Sequence, residues 1–194
     1  MCPETIRVIG VAGSLRQGSF NRALLRAAIE LAPDDLRIDV HDLRGIPLYD
    51  ADVEEQGDPE PVTALKRAVR EADALLIATP EYQRSLPGVL KNALDWASRP
   101  ASDPPLGRKP VAVMGASPSP FGTARAQTEL RKVLAYNDAL VLQRPEVMVP
   151  KAASAFDDEG SLIDEDARGF VRQLLVNLAA WTRQVRGWQP PATR

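Results

Sequence analysis

"IRVIGVAGSLRQGSFNRALLRAA", residues 6–28, decides how the rest of the chain is read. Its first seven residues are apolar but for Arg7, too short for a helix and bounded by Gly13, so they form a buried strand. Continuity rather than alternation suits a parallel sheet covered on both faces. From residue 21 to 31 the spacing changes, and Leu24, Leu25, Ala28 and Leu31 share one helical face. Between strand and helix lies a turn of glycine, serine and arginine. A helix start offers unpaired N–H groups and a partial positive charge, so such a turn attracts an anion.

The same alternation recurs along the chain. "DALLIATP" (73–80) and "KPVAVMGAS" (109–117) are two more buried strands. "RIDVHDL" (37–43) alternates like an edge strand, and "ALVLQRPEVMV" (139–149) is another edge, interrupted or ended by Pro145. Helical spacing runs over residues 61–72, with Val62, Leu65, Ala68 and Val69 together and Pro61 in the first turn. It returns at 88–96, 123–136 and 164–185, the last with Phe170, Leu174, Leu178 and Trp181 as a stripe that packs on the sheet. Strand alternating with helix implies right-handed crossovers. The expected fold is α/β and flavodoxin-like: three layers, a five-stranded parallel sheet of order 2-1-3-4-5, helices on both faces. The 194 residues make a single domain with an ordered core over about 6–185 and a frayed tail at 186–194. The acidic, proline-punctuated "PLYDADVEEQGDPEP" (47–61) reads as a surface connection.

Composition narrows the function. Hydrophobic residues make up 44% and charged residues 26%, as in globular proteins. A net charge of -2 gives no electrostatic case for nucleic acid or an anionic membrane. No apolar run has transmembrane length, and no basic-then-apolar leader opens the chain, so the expected compartment is the cytoplasm. Cys2 is the one cysteine, without a disulfide partner or companions for a metal site. His41, the one histidine, ends the second strand.

In a 2-1-3-4-5 sheet, ligands bind beyond the carboxyl ends of the strands, near the switch in strand order. Three loops leave those ends, after Ala12, Ala78 and Gly115. In the first, Ser14 and Ser19 bring hydroxyl donors, Arg16 a guanidinium fork matched to phosphate oxygens, and Asn21 an amide that either donates or caps the helix. The loop lacks the lysine of a P-loop. Gly13 and Gly18 are five apart, which breaks the dinucleotide fingerprint, and there is no cysteine nucleophile. What remains is a cradle that holds a monophosphate without attacking it, a description that fits FMN. In the second loop Pro80 and Pro87 stiffen the chain, Tyr82 offers an aromatic surface, and the backbone from Glu81 to Arg84 can meet the polar edge of a flavin. In the third, Ser117 can donate toward a ring oxygen and Thr123 suits a helix cap. Arg125 has three open readings: a nicotinamide phosphate, a subunit boundary, or solvent.

"GSLRQGSFNRALL" (13–25), "TPEYQRSLPGVLKNALDW" (79–96) and the "GTAR" region (122–125) together resemble the NADPH-dependent FMN reductase family, which includes quinone, azo-dye and chromate reductases. The resemblance spans roughly residues 6–185. It implies noncovalent FMN, with NADPH or NADH as electron donor. Hydride passes to the flavin N5, and ping-pong transfer to a small acceptor follows: a quinone, flavin, azo compound or metal oxyanion. The flavin carries that chemistry, so no side chain is named as catalytic. Ser14, Arg16, Ser19 and Asn21 match the family's phosphate loop. Pro80, Glu81, Tyr82, Gln83 and Ser85 match its ring loop, and Ser117 a third contact. The family usually has asparagine after the tyrosine; here Gln83 and Arg84 follow, and Arg84 sets a positive charge at the mouth. Relatives are dimers or tetramers, which makes a homodimer or homotetramer the expectation, with Arg125 and Glu146 at the subunit boundary. Two other readings stay open: an electron carrier docking a protein partner, and a regulatory relative without FMN.

Overall fold

A computed structural model of the chain describes residues 4–186. Cys2 and the "GWQPPATR" tail lie outside the described residues. The sheet has strands β1 (Ile6–Ala12), β2 (Leu36–His41), β3 (Ala74–Ala78), β4 (Pro110–Ala116), β5 (Leu140–Val141) and β6 (Val147–Val149). The spatial order is β2-β1-β3-β4-β5, all neighbours are parallel, and β6 also pairs with β4. The fifth position is thus occupied by two short strands. Pro145, which has no N–H to give to a ladder, lies between them.

The helices are α1 (Phe20–Glu30), α2 (Ala51–Glu55), α3 (Glu60–Glu71), α4 (Gly88–Ala97), α5 (Ala124–Tyr136), α6 (Ala152–Ala155) and α7 (Glu165–Arg186). β3 and β4 are buried at every residue, because helices cover both faces. On one face Leu24, Leu25 and Ala28 of α1 and Leu174, Leu175 and Leu178 of α7 pack against Ile6, Val8, Leu76 and Met114. On the other, α3, α4 and α5 bring Leu65, Leu90 and Leu130 against Val11, Ile77 and Val113. No helix of the described residues is long and apolar enough to cross a membrane.

Three expectations need adjustment. Phe170 is 55% exposed, and the buried stripe of α7 is Val171, Leu174, Leu175, Leu178, Ala179 and Thr182. A stripe wide enough to cover a sheet has more than one helical phase on the same leucines, and packing chose the other. Arg186, expected in the frayed tail, is the last described residue, lies in α7 and pairs with Asp73 and Glu4. The 47–61 connection contains α2 and is pinned to α4. Asn92 accepts from the Tyr49 N–H and donates to the Pro47 carbonyl, both at 2.8 Å, and the Trp96 indole N–H donates to the same carbonyl at 2.9 Å.

Candidate functional site

The loops leaving β1, β3 and β4 converge because their roots are tied together. The Gly13 N–H donates to the Ala78 carbonyl at 2.8 Å, and the Thr79 N–H to the Met114 carbonyl at 2.9 Å. Gly115 lets the second and third loops approach. A Cβ there would lie 2.1 Å from Thr123 Oγ1 and 2.4 Å from the Thr79 carbonyl oxygen, closer than atoms can come. Asn21 makes a third tie. Its amide nitrogen donates to the Ala116 carbonyl and its oxygen accepts from the Ala116 N–H, both at 2.9 Å. The side chain thus clips α1 to the end of β4, and the side-chain cap of α1 is left to Ser19. A polar side chain this buried must find partners, and the backbone of Ala116 at the end of β4 supplies them.

Ser19 is the N-cap of α1, with its Oγ accepting from the Asn21 N–H at 3.2 Å. Ser14 Oγ accepts from the Arg16 N–H at 3.4 Å. Each hydroxyl keeps its proton to donate. The N–H groups of Gly18 and Phe20 meet no protein acceptor among the described residues. The exposed Arg16 guanidinium folds back over Gly18, with Nη2 3.8 Å from where a Cβ would stand. Free donors, two hydroxyls and a cationic fork thus gather at one helix start. A strut from β2 supports them. Arg44 donates to the Leu15 carbonyl and pairs with Asp42, which also holds Arg22 at 3.3 Å. Partial burial works against ionising Asp42, but the Arg44 N–H and the guanidinium groups of Arg22 and Arg44 outweigh it and hold the carboxyl below its usual range. Nothing in the spacing of the sequence signals this strut.

In the second loop, Tyr82 and Ser85 exchange two backbone hydrogen bonds of 3.0 Å around a two-residue turn. Gln83 has φ 49° and Arg84 φ 63°. Both lie in the left-handed region, where Asn-Gly is the usual pair. Their N–H groups make no hydrogen bond among the described residues, and the side chains of Tyr82, Gln83 and Arg84 are exposed. Pro80 is buried at the root of the loop.

Glu81 turns away from this tip toward α5. Its Oε2 accepts from the N–H groups of Arg125 at 2.9 Å and Ala126 at 3.2 Å, and its Oε1 lies 3.5 Å from Arg125 Nη1. Glu81, not Thr123, is therefore the side-chain cap of α5. Thr123 stands at the N-cap position without a capping bond, and its Oγ1 accepts from Gln127 Nε2 at 3.0 Å instead. Arg125 is bound within its own chain, to Glu81 and against the Phe121 ring at 5.2 Å. Glu146 is exposed between β5 and β6 and makes no ion pair with Arg125 among the described residues. Ser117 is buried. Its N–H donates to the Val149 carbonyl at 3.0 Å and its Oγ accepts from the Ser119 N–H at 3.2 Å, which leaves the hydroxyl proton available.

A groove of about 700 Å³ lies elsewhere, between β6 and α7. Glu146, Asp164 and Asp166 line it against Arg144, so its charge repels a phosphate. The free donors and hydroxyls gather instead at the three loops. The sequence model for NADPH-dependent FMN reductase matches residues 6–154. An NAD(P)H-dependent FMN reductase of Pseudomonas aeruginosa is 50% identical over 184 residues, 95% of this chain and 99% of that protein. A 2-hydroxy-1,4-benzoquinone reductase of a Burkholderia species is 44% identical over 181 residues, 93% and 98% of the two chains. Among solved structures, the flavoenzyme FerB of Paracoccus denitrificans, an NAD(P)H:(acceptor) oxidoreductase, superposes with a TM-score of 0.85 at 34% identity, covering 93% of this chain and 98% of its own. By these likenesses the chain belongs to the NADPH-dependent FMN reductase family.

Proposed function

We propose that this chain is an FMN-dependent oxidoreductase that draws electrons from NAD(P)H and passes them to a small acceptor, a quinone first among the candidates. One observation carries the reading: the helix start of α1 gathers donors suited to a single phosphate, with no cysteine nucleophile and no P-loop lysine beside them. Family membership supports it, as do relatives named quinone reductase, such as that of Escherichia coli at 42% identity.

When bound, FMN supplies the hydride and electron transfer. The protein's part is to hold and orient. Arg16, the hydroxyls of Ser14 and Ser19, and the N–H groups of Gly18 and Phe20 take the phosphate. Asn21 acts on the cradle through its clip to Ala116. Pro80 stiffens the root of the ring-side loop. The turn from Tyr82 to Ser85 presents the N–H groups of Gln83 and Arg84 to the polar edge of the ring, and the Ser117 hydroxyl donates from the third loop. Arg84 places its charge at the mouth, where it favours the NADPH phosphate or an anionic acceptor. Arg125 pairs with Glu81, whereas Arg84 makes no ion pair among the described residues and so suits that role. A homo-oligomer in the cytoplasm, with Arg125 and Glu146 near the subunit boundary, completes the proposal, and light scattering of the purified protein tests the assembly.

The deciding experiment is an anaerobic titration. The purified protein is expected to be yellow, or to turn yellow with added FMN. NADPH or NADH then bleaches it, and a quinone restores the colour. A colourless protein that binds no FMN overturns the reading. A yellow protein reduced only by another protein makes it an electron carrier instead.

A further inference from the structure

We infer that Glu81 is a positioning residue: its carboxylate locks the ring-side turn onto the start of α5, and this lock prepares the turn for its cofactor. The inference rests on the FMN reading above and adds a role for a side chain that points away from the ring-binding tip.

The geometry is direct. Glu81 immediately precedes the turn, yet its side chain reaches residues 44 and 45 positions further on, where Oε2 accepts from the N–H groups of Arg125 and Ala126. It is 11% exposed, and its second oxygen faces the Arg125 guanidinium. Without it, the first turn of α5 would keep unpaired donors, because Thr123 makes no capping bond. The charge suits the position, since a carboxylate at a helix start meets the positive end of the dipole.

The turn needs such a hold. Gln83 and Arg84 both carry left-handed backbone, a costly conformation for side chains of this size. Two hydrogen bonds between Tyr82 and Ser85 are the turn's own support. Beyond them, buried Pro87 and partly buried Leu86 anchor its far end. On the near side Glu81 is the side chain that reaches out of the loop into another element. A released loop spends part of its time in relaxed conformers, and apparent affinity falls by the fraction that remains competent. The lock has a second effect. By spending the donors at the start of α5, Glu81 leaves the start of α1 as the better seat for the phosphate.

The test compares the wild type with Glu81→Ala, Glu81→Gln and Arg125→Ala by two measurements: FMN titration followed by flavin fluorescence, and amide hydrogen exchange of the flavin-free chain. Glu81→Ala is expected to weaken FMN binding by about tenfold, the scale of a lost helix cap. It should speed exchange at residues 81–86 and 124–127 while leaving the β1 segment unchanged. Glu81→Gln keeps an acceptor and loses the charge, so a loss of about threefold is expected. Arg125→Ala keeps both capping bonds and should change affinity less than about twofold. Exchange faster throughout the sheet would mark general destabilisation and overturn the assignment. So would wild-type affinity and exchange in Glu81→Ala. Should that variant fail to fold, Glu81→Gln carries the test, and no change in either measurement overturns the lock. A wild type that binds no FMN sinks the functional reading, while hydrogen exchange still judges the lock by itself.

Discussion

The loop at residues 13–21, proposed to cradle the phosphate, and the turn at residues 82–85, proposed to meet the ring, stand at neighbouring strand ends, yet they are assembled differently. The cradle comes mostly from its own segment. Ser19 caps the helix that follows it, Ser14 accepts from the N–H two residues on, and Arg16 folds over Gly18. The turn depends on distant residues. Its root needs the missing side chain of Gly115, its near end needs the start of α5, and its tip is a left-handed pair filled by residues ill suited to it. A phosphate site can be local because helix starts are local features. A site for a flat ring needs surfaces from several strands held at fixed separation. The cradle should therefore tolerate change elsewhere, and the turn should not.

The sharpest way to break the contrast is Gly115→Ala. The new methyl would meet the Thr79 backbone oxygen as well as the Thr123 hydroxyl, and backbone cannot rotate away. Overpacking of this kind costs about 3 kcal/mol or more. For a chain of this size that lowers Tm by about 10 °C. FMN should be lost chiefly at the ring side, so the visible spectrum of any residual complex should resemble free flavin. A stable Gly115→Ala protein with a normal flavin spectrum would mean that the loops separate freely, against the dependence argued for the turn. Next in size is Arg16→Ala. Charge-assisted bonds from an exposed guanidinium are worth about 1.5 kcal/mol, so FMN affinity should fall by about tenfold with Tm of the flavin-free protein unchanged. Unchanged affinity would show that the serine hydroxyls and the helix N–H groups suffice. The third variant, Gln83→Asn, should help rather than harm. Asparagine accepts left-handed backbone more readily, so the flavin-free protein should gain about 0.5 kcal/mol, read as a higher Tm. FMN affinity should hold or improve, because the turn contributes backbone N–H groups. Lower stability would assign the Gln83 side chain a contact of its own.

The same contrast explains what could be read before the fold was known. β1 spans the apolar run Ile6–Ala12, and the strand order follows from the alternation of strand and helix. The cradle was legible because serine, glycine and arginine lie within one turn. Asn21 was legible as a candidate polar contact, but its clip was not, because its partner Ala116 is 95 residues away. Glu81 resembled a member of a binding motif, and Thr123 a cap. Only the third dimension shows the carboxylate doing the capping. The left-handed tip was hidden for a related reason. Gln83 and Arg84 carry no turn signature, and it is the closing bonds of Tyr82 and Ser85 that impose the conformation. Phe170 misled because helical spacing reports a face and not its neighbours.

Besides the ties of Gly13 and Asn21 to neighbouring strands, the 13–21 loop leans on the strut from the end of β2, and there the smallest effect is expected. His41 ends β2 beside Asp42, and it lines a small cavity of about 140 Å³ with Arg22 and Arg26. Burial pushes its imidazole below the ordinary 6.5, and the charge of Asp42 only partly restores it. The folded form then binds fewer protons than the unfolded chain just below that value. Stability from His41 is full above pH 6.5 and drains away as pH falls toward the folded pKa. A protonated His41 would add a third cation beside Arg22 and Arg26 and compete for Asp42, which helps to hold the Leu15 carbonyl through Arg44. His41 is the one histidine, and no other side-chain type has an ordinary pKa between about 5 and 8. His41→Gln should therefore flatten the decline of Tm between about pH 7.5 and 5.5, with little change at the upper end. Parallel slopes for the two proteins would place the acid sensitivity among carboxylates elsewhere. The cradle would then be as independent of its neighbours as its own hydrogen bonds suggest.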